Sequence, residues 1–369
     1  MQLKGMTWDH PRGYDPLVAA AQAWEARTGV AIAWDRRSLQ DFETYPVRTL
    51  AEGYDLIVID HPHVGQVTAE DCLLPFDSDQ VAEVAAGTLG ASFPSYNWAG
   101  RQWALPIDAA AQVQAWRPDR LPAPLSRWDE VMALARDGQV LCPMRPPHSL
   151  MSLYTLCGML GGTPAVSGPA LFEPTNGAQS FRRLADLVRL LDRDCFDQDP
   201  IVVLERMAEN NGRAVMSPLI YGYVSYALEG FRPARIAFAD LPVIGQAGPR
   251  GSALGGTGIA VSALRGNADE ARAFAAWVAS GPVQAALYAA AGGQPGHAEA
   301  WSADAVNAPV LDFYRATRAT LDAAWVRPRH DGYMPFQQQA SERINHGLQR
   351  GEEGDVVIAD LNRLFEASL

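Results

Sequence analysis

The stretch Trp98 to Gln112, WAGRQWALPIDAAAQ, constrains this chain more than any other. Its apolar, strand-like run Gln102 to Leu105 meets Pro106, whose ring fixes its own φ and biases Leu105 towards an extended backbone. Ile107 and Asp108 then lead into small residues. Such a segment reads either as a buried edge strand of a single-lobe domain or as an extended crossing that leaves one folded unit and enters another. Length favours the crossing: a chain of 369 residues is too long for one ordinary core and points to about two domains.

Charge and cysteine content narrow the function. Lys plus Arg 30 against Asp plus Glu 42 give a net charge of −12, which argues against nucleic acid as a partner, because phosphate contacts need a basic face. Long apolar runs are absent, so no membrane insertion is expected. Cys72, Cys142, Cys157 and Cys195 show no CxxC spacing and read as separate, reduced, mostly buried thiols. The start, MQLKGMTWDH, has neither an apolar h-region nor a cleavage site. The location expected of the sequence as it stands is therefore cytoplasmic, and periplasmic if a signal has been removed.

Strand and helix patterns alternate, which is the mark of an α/β fold. Leu3 to Trp8 reads as a first strand, followed by a helix that Asp15 caps and Pro16 opens, with Trp24 on its core face. Thr28 and Gly29 stop that helix before a strand at Val30 to Trp34. Tyr54 to Asp60, YDLIVID, is a continuous β-branched run suited to a parallel strand buried on both faces. Beyond the crossing, Ser126 is expected to cap a helix and Gln139 to Met144 to form a strand. Met151 to Leu160 and Gln179 to Asp192 read as helices, and Arg213 to Pro218 as a strand. Glycine-rich Ser252 to Gly258 runs into a strand at Ile259 to Ser262 and a helix at Asp269 to Ser280. The last helices are read at Phe313 to Ala324 and Val356 to Ala367.

Ligands of open α/β sheets bind outside the carboxyl ends of the strands. That rule selects Trp8, Asp9, His10 and Arg12 after the first strand and Asp60, His61 and His63 after YDLIVID. It adds Arg145 to Ser149 and Leu219 to Tyr223 in the second block. The crossings contribute Asp108, Gly255, Gly256 and Thr257. In this set Trp8 or Tyr221 is expected to stack on a ligand, with Tyr223 beside them. Asp60 and Asp108 are expected to accept hydrogen bonds, and Arg145 to donate a planar fork to an oxygen pair. Asp108→Ala and Arg145→Ala are then expected to weaken binding without unfolding the protein, because both positions are read as loop.

Other chemistries fit less well. GxSxG, HExxH and a dinucleotide-binding fingerprint at the first strand are missing, and the glycine-rich stretch lacks the GK[ST] ending of a phosphate loop. A Cys–His nucleophile would use Cys142 with His148. A metal site would draw on His61 and His63 with His10, His148 and Asp60. Pro62 turns that histidine pair into a tight loop, where local hydrogen bonds account for both rings. The reading is a non-enzymatic protein with no cofactor and no metal.

The order of segments carries a resemblance. Tyr96, Asn97, Gly100, Trp103, Ala104, Leu105 and Pro106 are similar to a "Tyr, turn, Gly, aromatic, Ala-Leu-Pro" lobe crossing. Leu73 to Asp77 is similar to "Leu-Leu-x-Leu-Asp". Leu241-Pro242, Gly255 to Gly258, Val261-Ser262, Ser280 to Gln284 and Gly293 to Pro295 follow in the matching order. Together they resemble extracellular solute-binding protein family 1, the sugar-type substrate-binding components of ABC transporters. The resemblance implies a two-lobed type II periplasmic-binding-protein fold, with lobes at 1–107 plus 258–309 and 108–257 plus 310–369. It implies a small polar solute, a carbohydrate or a related hydroxylated or carboxylated compound, bound between lobes that close by hinge bending. The implied protein is a monomer whose partners are that ligand and an ABC permease; a cytosolic carrier or sensor is the variant without export.

Overall fold

The protein was analysed as a computed structural model, which describes residues 2–39, 46–245 and 248–369. Six strands organise it: β1 (Gln2–Trp8), β2 (Ala31–Arg37), β3 (Leu56–Ile59), β4 (Leu105–Trp116), β5 (Met216–Tyr221) and β6 (Leu254–Ser262). They lie side by side in the order β2-β1-β3-β6-β4-β5. The pairs β1–β2 and β1–β3 are parallel, while β6 runs antiparallel to both β3 and β4. Every residue of β3 is buried, as its β-branched run requires.

β4 belongs to both halves of the molecule. Its first half pairs with β6, Leu105 opposite Ile259 and Ala111 opposite Leu254. Its second half pairs with β5 and with the short strand Ala237–Ala239. The crossing read from Pro106 is thus a single long strand, and β6 returns alongside it. Apolar side chains gather on either side of these two strands. In the first lobe Leu3, Leu17, Trp24, Leu56, Ile259 and Phe274 share one cluster, and Met6, Ile57, Trp103 and Ala260 share another. In the second lobe Leu153, Tyr154, Phe181, Met216, Phe336 and Phe365 pack together. A further cluster joins Val113 and Ile220 to Trp301, Phe313 and Tyr314.

The helices that matter to the cleft are α1 (Pro11–Thr28), α2 (His148–Met159), α3 (Pro174–Val188), α4 (Ala268–Ala279), α5 (Tyr333–Arg350) and α6 (Gly354–Ser368). Gly29 ends α1 with φ 77°, the left-handed cap that glycine adopts without strain. The start of α1 differs from the expected one: Pro11 opens it, the His10 ring caps it, and Pro16 lies inside it. Both prolines are preceded by a polar residue, so the pattern alone favoured the wrong one. Ser126 likewise does not cap its helix; the Glu130 carboxylate reaches back to the backbone N–H groups of Ser126 and Arg127. Gln139 to Met144 makes one isolated bridge, Val140 to Met216, instead of a strand. The expected helix Phe313 to Ala324 is broken into Phe313–Ala316 and Arg318–Asp322. All four cysteines are buried and unbridged.

The glycine-rich segment has a local explanation. Gly256 has φ +94°, and a Cβ there would overlap the Asp108 carbonyl oxygen. The pairing register of β6 against β4 shifts between Thr257 and Gly258, a bulge that re-aims Thr257. Gly256→Ala is expected to lower unfolding free energy by about 1–3 kcal/mol through left-handed strain and overlap. Urea unfolding reads this as a lower midpoint at unchanged slope; a midpoint equal to the parent's would contradict the account.

Candidate functional site

A cleft of about 610 Å³, counting its open mouth, lies beside the two crossing strands. Trp8, Arg12, Asp60, Tyr221 and Tyr223, from segments selected by the strand-end rule, line it together with Gly255, Gly256 and Thr257 of the second crossing. His148, Met151 and Pro147 add a wall at the start of α2, and Arg327 enters from the loop before α5.

Arg12 is held from three directions. Its Nε donates to Asp108 Oδ2 at 2.8 Å and its Nη2 to Asp108 Oδ1. Its Nη1 donates to the Gly222 carbonyl at 2.8 Å, and its guanidinium lies 4.5 Å from the Tyr223 ring centroid. Burial lowers the Arg12 pKa, but the adjoining Asp108 carboxylate outweighs it and raises the value above normal; burial also raises the Asp108 pKa, against the pull of Arg12, so it is the two-pronged hydrogen bonding that holds the pair together. Asp108 is therefore engaged inside the protein. It sits on β4, fully buried, and Asp108→Ala would strand a buried guanidinium, at a cost of about 3–5 kcal/mol. This corrects the expectation that the position tolerates alanine as a loop would.

Asp60 forms the second pair. Its carboxylate accepts from Arg327 Nη2 at 2.8 and 2.6 Å and from the His61 backbone N–H at 2.9 Å. Burial alone would raise the Asp60 pKa; Arg327 and His61 outweigh it and hold the carboxyl below the usual range. Arg327 also donates to Gln337 Oε1 at 2.9 Å, while its Nε is buried without a partner. Two further buried polar atoms of the cleft wall have no partner: Thr257 Oγ1 and His148 Nδ1.

Several expected residues are placed elsewhere. Asp9 is half exposed and 3.3 Å from Arg36. His10 is committed to capping α1, where its Nδ1 accepts from the Arg12 N–H at 3.1 Å, and its ring packs edge-on against Tyr223. His61 is buried in the turn His61–His63 and faces Tyr96. Arg145 lies 3.7 Å from Asp199 and is not among the residues that line the cleft. The guanidinium that lines the cleft is that of Arg327, whose Nη2 is bound to Asp60. Sequence reasoning passed over Arg327 because it lies between helices, after no strand. Its one local signal is Pro328, which marks a non-helical segment flanked by arginines.

The cysteine and metal readings find no geometry. Cys142 is buried against the Leu219 carbonyl, and burial pushes its thiol far up, opposite to what a nucleophile needs. Among the described residues, His, Cys, Asp and Glu form no group of three that could hold a metal ion. No helix among them is long and apolar enough to cross a membrane.

A family model described as bacterial extracellular solute-binding protein matches residues 19–311. Among solved structures, maltose-bound T. maritima MalE3 aligns over 100% of both chains at TM-score 0.85 and 14% identity. An Agrobacterium radiobacter ABC transporter solute-binding protein in complex with ribitol aligns at TM-score 0.79 and 18% identity, over 100% of this chain and 99% of that one. The Thermus thermophilus maltotriose-binding protein, bound with maltotriose, does so at TM-score 0.78 and 18% identity, with the same coverage. These likenesses establish the fold. No curated protein matches the chain in sequence.

The buried histidines give the fold a pH dependence. Burial, then the charge of Arg327, lowers His61 to about 4. Burial likewise brings His63 and His148 to about 4. Their unfolded value is 6.5, so from pH 6.5 down to about 4 the unfolded chain binds more protons. Stability is therefore full above pH 6.5 and declines on acidification, by about 1.4 kcal/mol per pH unit for each histidine. Urea titrations at several pH values should show this slope, shallower in His63→Gln. Stability that stays flat between pH 7 and 4.5 would refute it.

Proposed function

This chain belongs to the bacterial extracellular solute-binding protein family, and on that premise we propose that it binds a small uncharged hydroxylated solute, a sugar or polyol, in the inter-lobe cleft. The observation that carries the proposal is the trio of buried, unpartnered polar atoms on separate walls: Thr257 Oγ1, His148 Nδ1 and Arg327 Nε. Buried polar groups are normally hydrogen-bonded. A solute with several hydroxyls, each both donor and acceptor, supplies all three partners at once. Trp8, Tyr221 and Tyr223 supply aromatic surface for the C–H faces of such a molecule. The charges of the cleft are already matched, Arg12 with Asp108 and Arg327 with Asp60, which favours a neutral solute over a carboxylate. The three structural neighbours named above hold maltose, ribitol and maltotriose, all neutral and hydroxylated.

Hinge bending about β4 and β6 is the motion we assign to binding. We assign the lobes to residues 1–107 plus 258–309 and 108–257 plus 310–369, with the third boundary open to revision by packing. The first-lobe clusters end at Tyr288, while Trp301 and Val306 pack with Val113 and Ile220. That packing supports a third crossing between Tyr288 and Ala300, earlier than residue 309. Family membership supports a role as the substrate-binding component of an ABC transporter, with a permease as partner, acting outside the cytoplasm.

Calorimetry against neutral sugars and polyols, with the corresponding sugar acids alongside, tests the reading. A neutral compound is expected to bind. Thr257→Val should weaken it about twofold to tenfold, the effect of one neutral hydrogen bond at about 0.5–1.5 kcal/mol. Preference for the acids, or an unchanged affinity in Thr257→Val, would count against it.

A further inference from the structure

Two glycines beside the cleft have no backbone reason to be glycine. Gly13 lies in the first turn of α1, Gly255 lies in β6 opposite Ala110 of β4, and neither has a positive φ. That separates them from Gly256, whose left-handed φ explains it. Glycine inside a helix or strand costs order that alanine would keep, and in a strand it marks a close approach. The reason therefore lies in what a side chain would meet. A Cβ on Gly13 would overlap Cδ2, Cε2 and Cζ2 of Trp8, all three at nearly the same distance, so the indole lies face-down on the helix backbone. A Cβ on Gly255 would stand 2.6 Å from Cε1 and 3.0 Å from Cδ1 of Tyr221. Both rings line the cleft.

The backbone under each ring is held. Thr7 Oγ1 donates to the Gly13 carbonyl at 3.1 Å and the Gly13 N–H to the His10 carbonyl at 2.9 Å, which ties the first turn of α1 to the end of β1. Gly255 is paired inside the sheet, and the Tyr221 ring has the His148 imidazole on another side, 6.4 Å between centroids. A methyl group added beneath either ring therefore displaces the ring, and the open side is the cleft. Each glycine and its ring lie within one of the assigned lobes, so both contacts are the same however the lobes stand to each other.

We propose that Gly13 and Gly255 are positioning residues for solute recognition: by letting Trp8 and Tyr221 sink onto the backbone, they set the width of the solute that the cleft admits. The inference rests on the solute site proposed above and deepens it by naming what fixes the spacing of its aromatic walls. Neither glycine touches the solute; each acts through its ring.

A double-mutant cycle of Gly255→Ala with Tyr221→Ala, read by calorimetry with maltose and with ribitol, tests the proposal. In the parent, Gly255→Ala is expected to weaken the compound that binds by about tenfold or more, the effect of one misplaced methylene-sized group in a pocket. In the Tyr221→Ala background no ring is left to lift, and the same change is expected to alter affinity by less than about twofold. An equal loss in both backgrounds means that Gly255 acts through its strand, and it overturns the proposal; so does no loss in either. Gly13→Ala is expected to weaken the same compound, and an unchanged affinity overturns the role given to Gly13. A fluorinated tyrosine placed at position 221 supplies a readout without solute: its fluorine resonance is expected to shift in Gly255→Ala at unchanged circular dichroism, and an unshifted resonance in the folded variant also overturns the proposal. If neither compound binds the parent, the functional proposal fails on its own, and the resonance still decides whether Gly255 seats the ring.

Discussion

The buried pair Arg12–Asp108 is the constraint on which the site depends. Removing a guanidinium and a carboxylate from water costs several kcal/mol per ion, and the cost is offset only where geometry and hydrogen bonding are good. Here the carboxylate accepts two donors, and the remaining guanidinium nitrogen finds the Gly222 carbonyl. Meeting those demands fixes the first turn of α1, the middle of β4 and the chain after β5 relative to one another. The residues that follow Asp108 on β4 are Ala109, Ala110 and Ala111. Their small side chains leave β6 and the cleft wall room beside the pair.

Asp60–Arg327 repeats the logic at the other rim. With both arginines matched by carboxylates, the interior of the cleft carries little net charge. Arginines help to keep nearby histidines neutral: Arg12 lowers His10, Arg327 lowers His61, and Arg145 and Arg327 lower His148, each adding to burial. The cleft thus combines a high density of polar atoms with a muted field, an environment that discriminates by hydrogen-bond geometry and shape more than by charge.

Much of this was legible in the sequence because the fold announces itself through strands. YDLIVID is too apolar and β-branched for an exposed element, and Pro106 followed by small residues marks the crossing. The ends of those strands pointed to Trp8, Arg12, Asp60, Tyr221 and Tyr223, and the second crossing to the glycines of β6, all of which line the cleft. The misreadings share a cause as well. Arg145 was assigned through a segment that forms a single bridge; the loop after it does reach the cleft, but through Pro147 and His148 and not through Arg145. Asp108 was taken for a loop acceptor, although its partner, Arg12, is ninety-six positions away in the chain. Arg327 follows no strand at all. Pairings over such separations leave no periodic trace in sequence.

The placement of β6 bears on how the protein is made. This strand sits between β3 and β4 and contributes Ile259 and Val261 to the first-lobe core. A nascent chain that has emerged only as far as the crossing therefore has β1, β2 and β3 but lacks the strand that covers the edge of β3. That edge stays unpaired until the whole intervening second-lobe segment has been synthesised. Contacts of such long sequence separation form slowly, and exposed strand edges invite association between chains. The N-terminal portion is thus an obligate client of residues translated much later, and the two lobes mature together rather than one after the other.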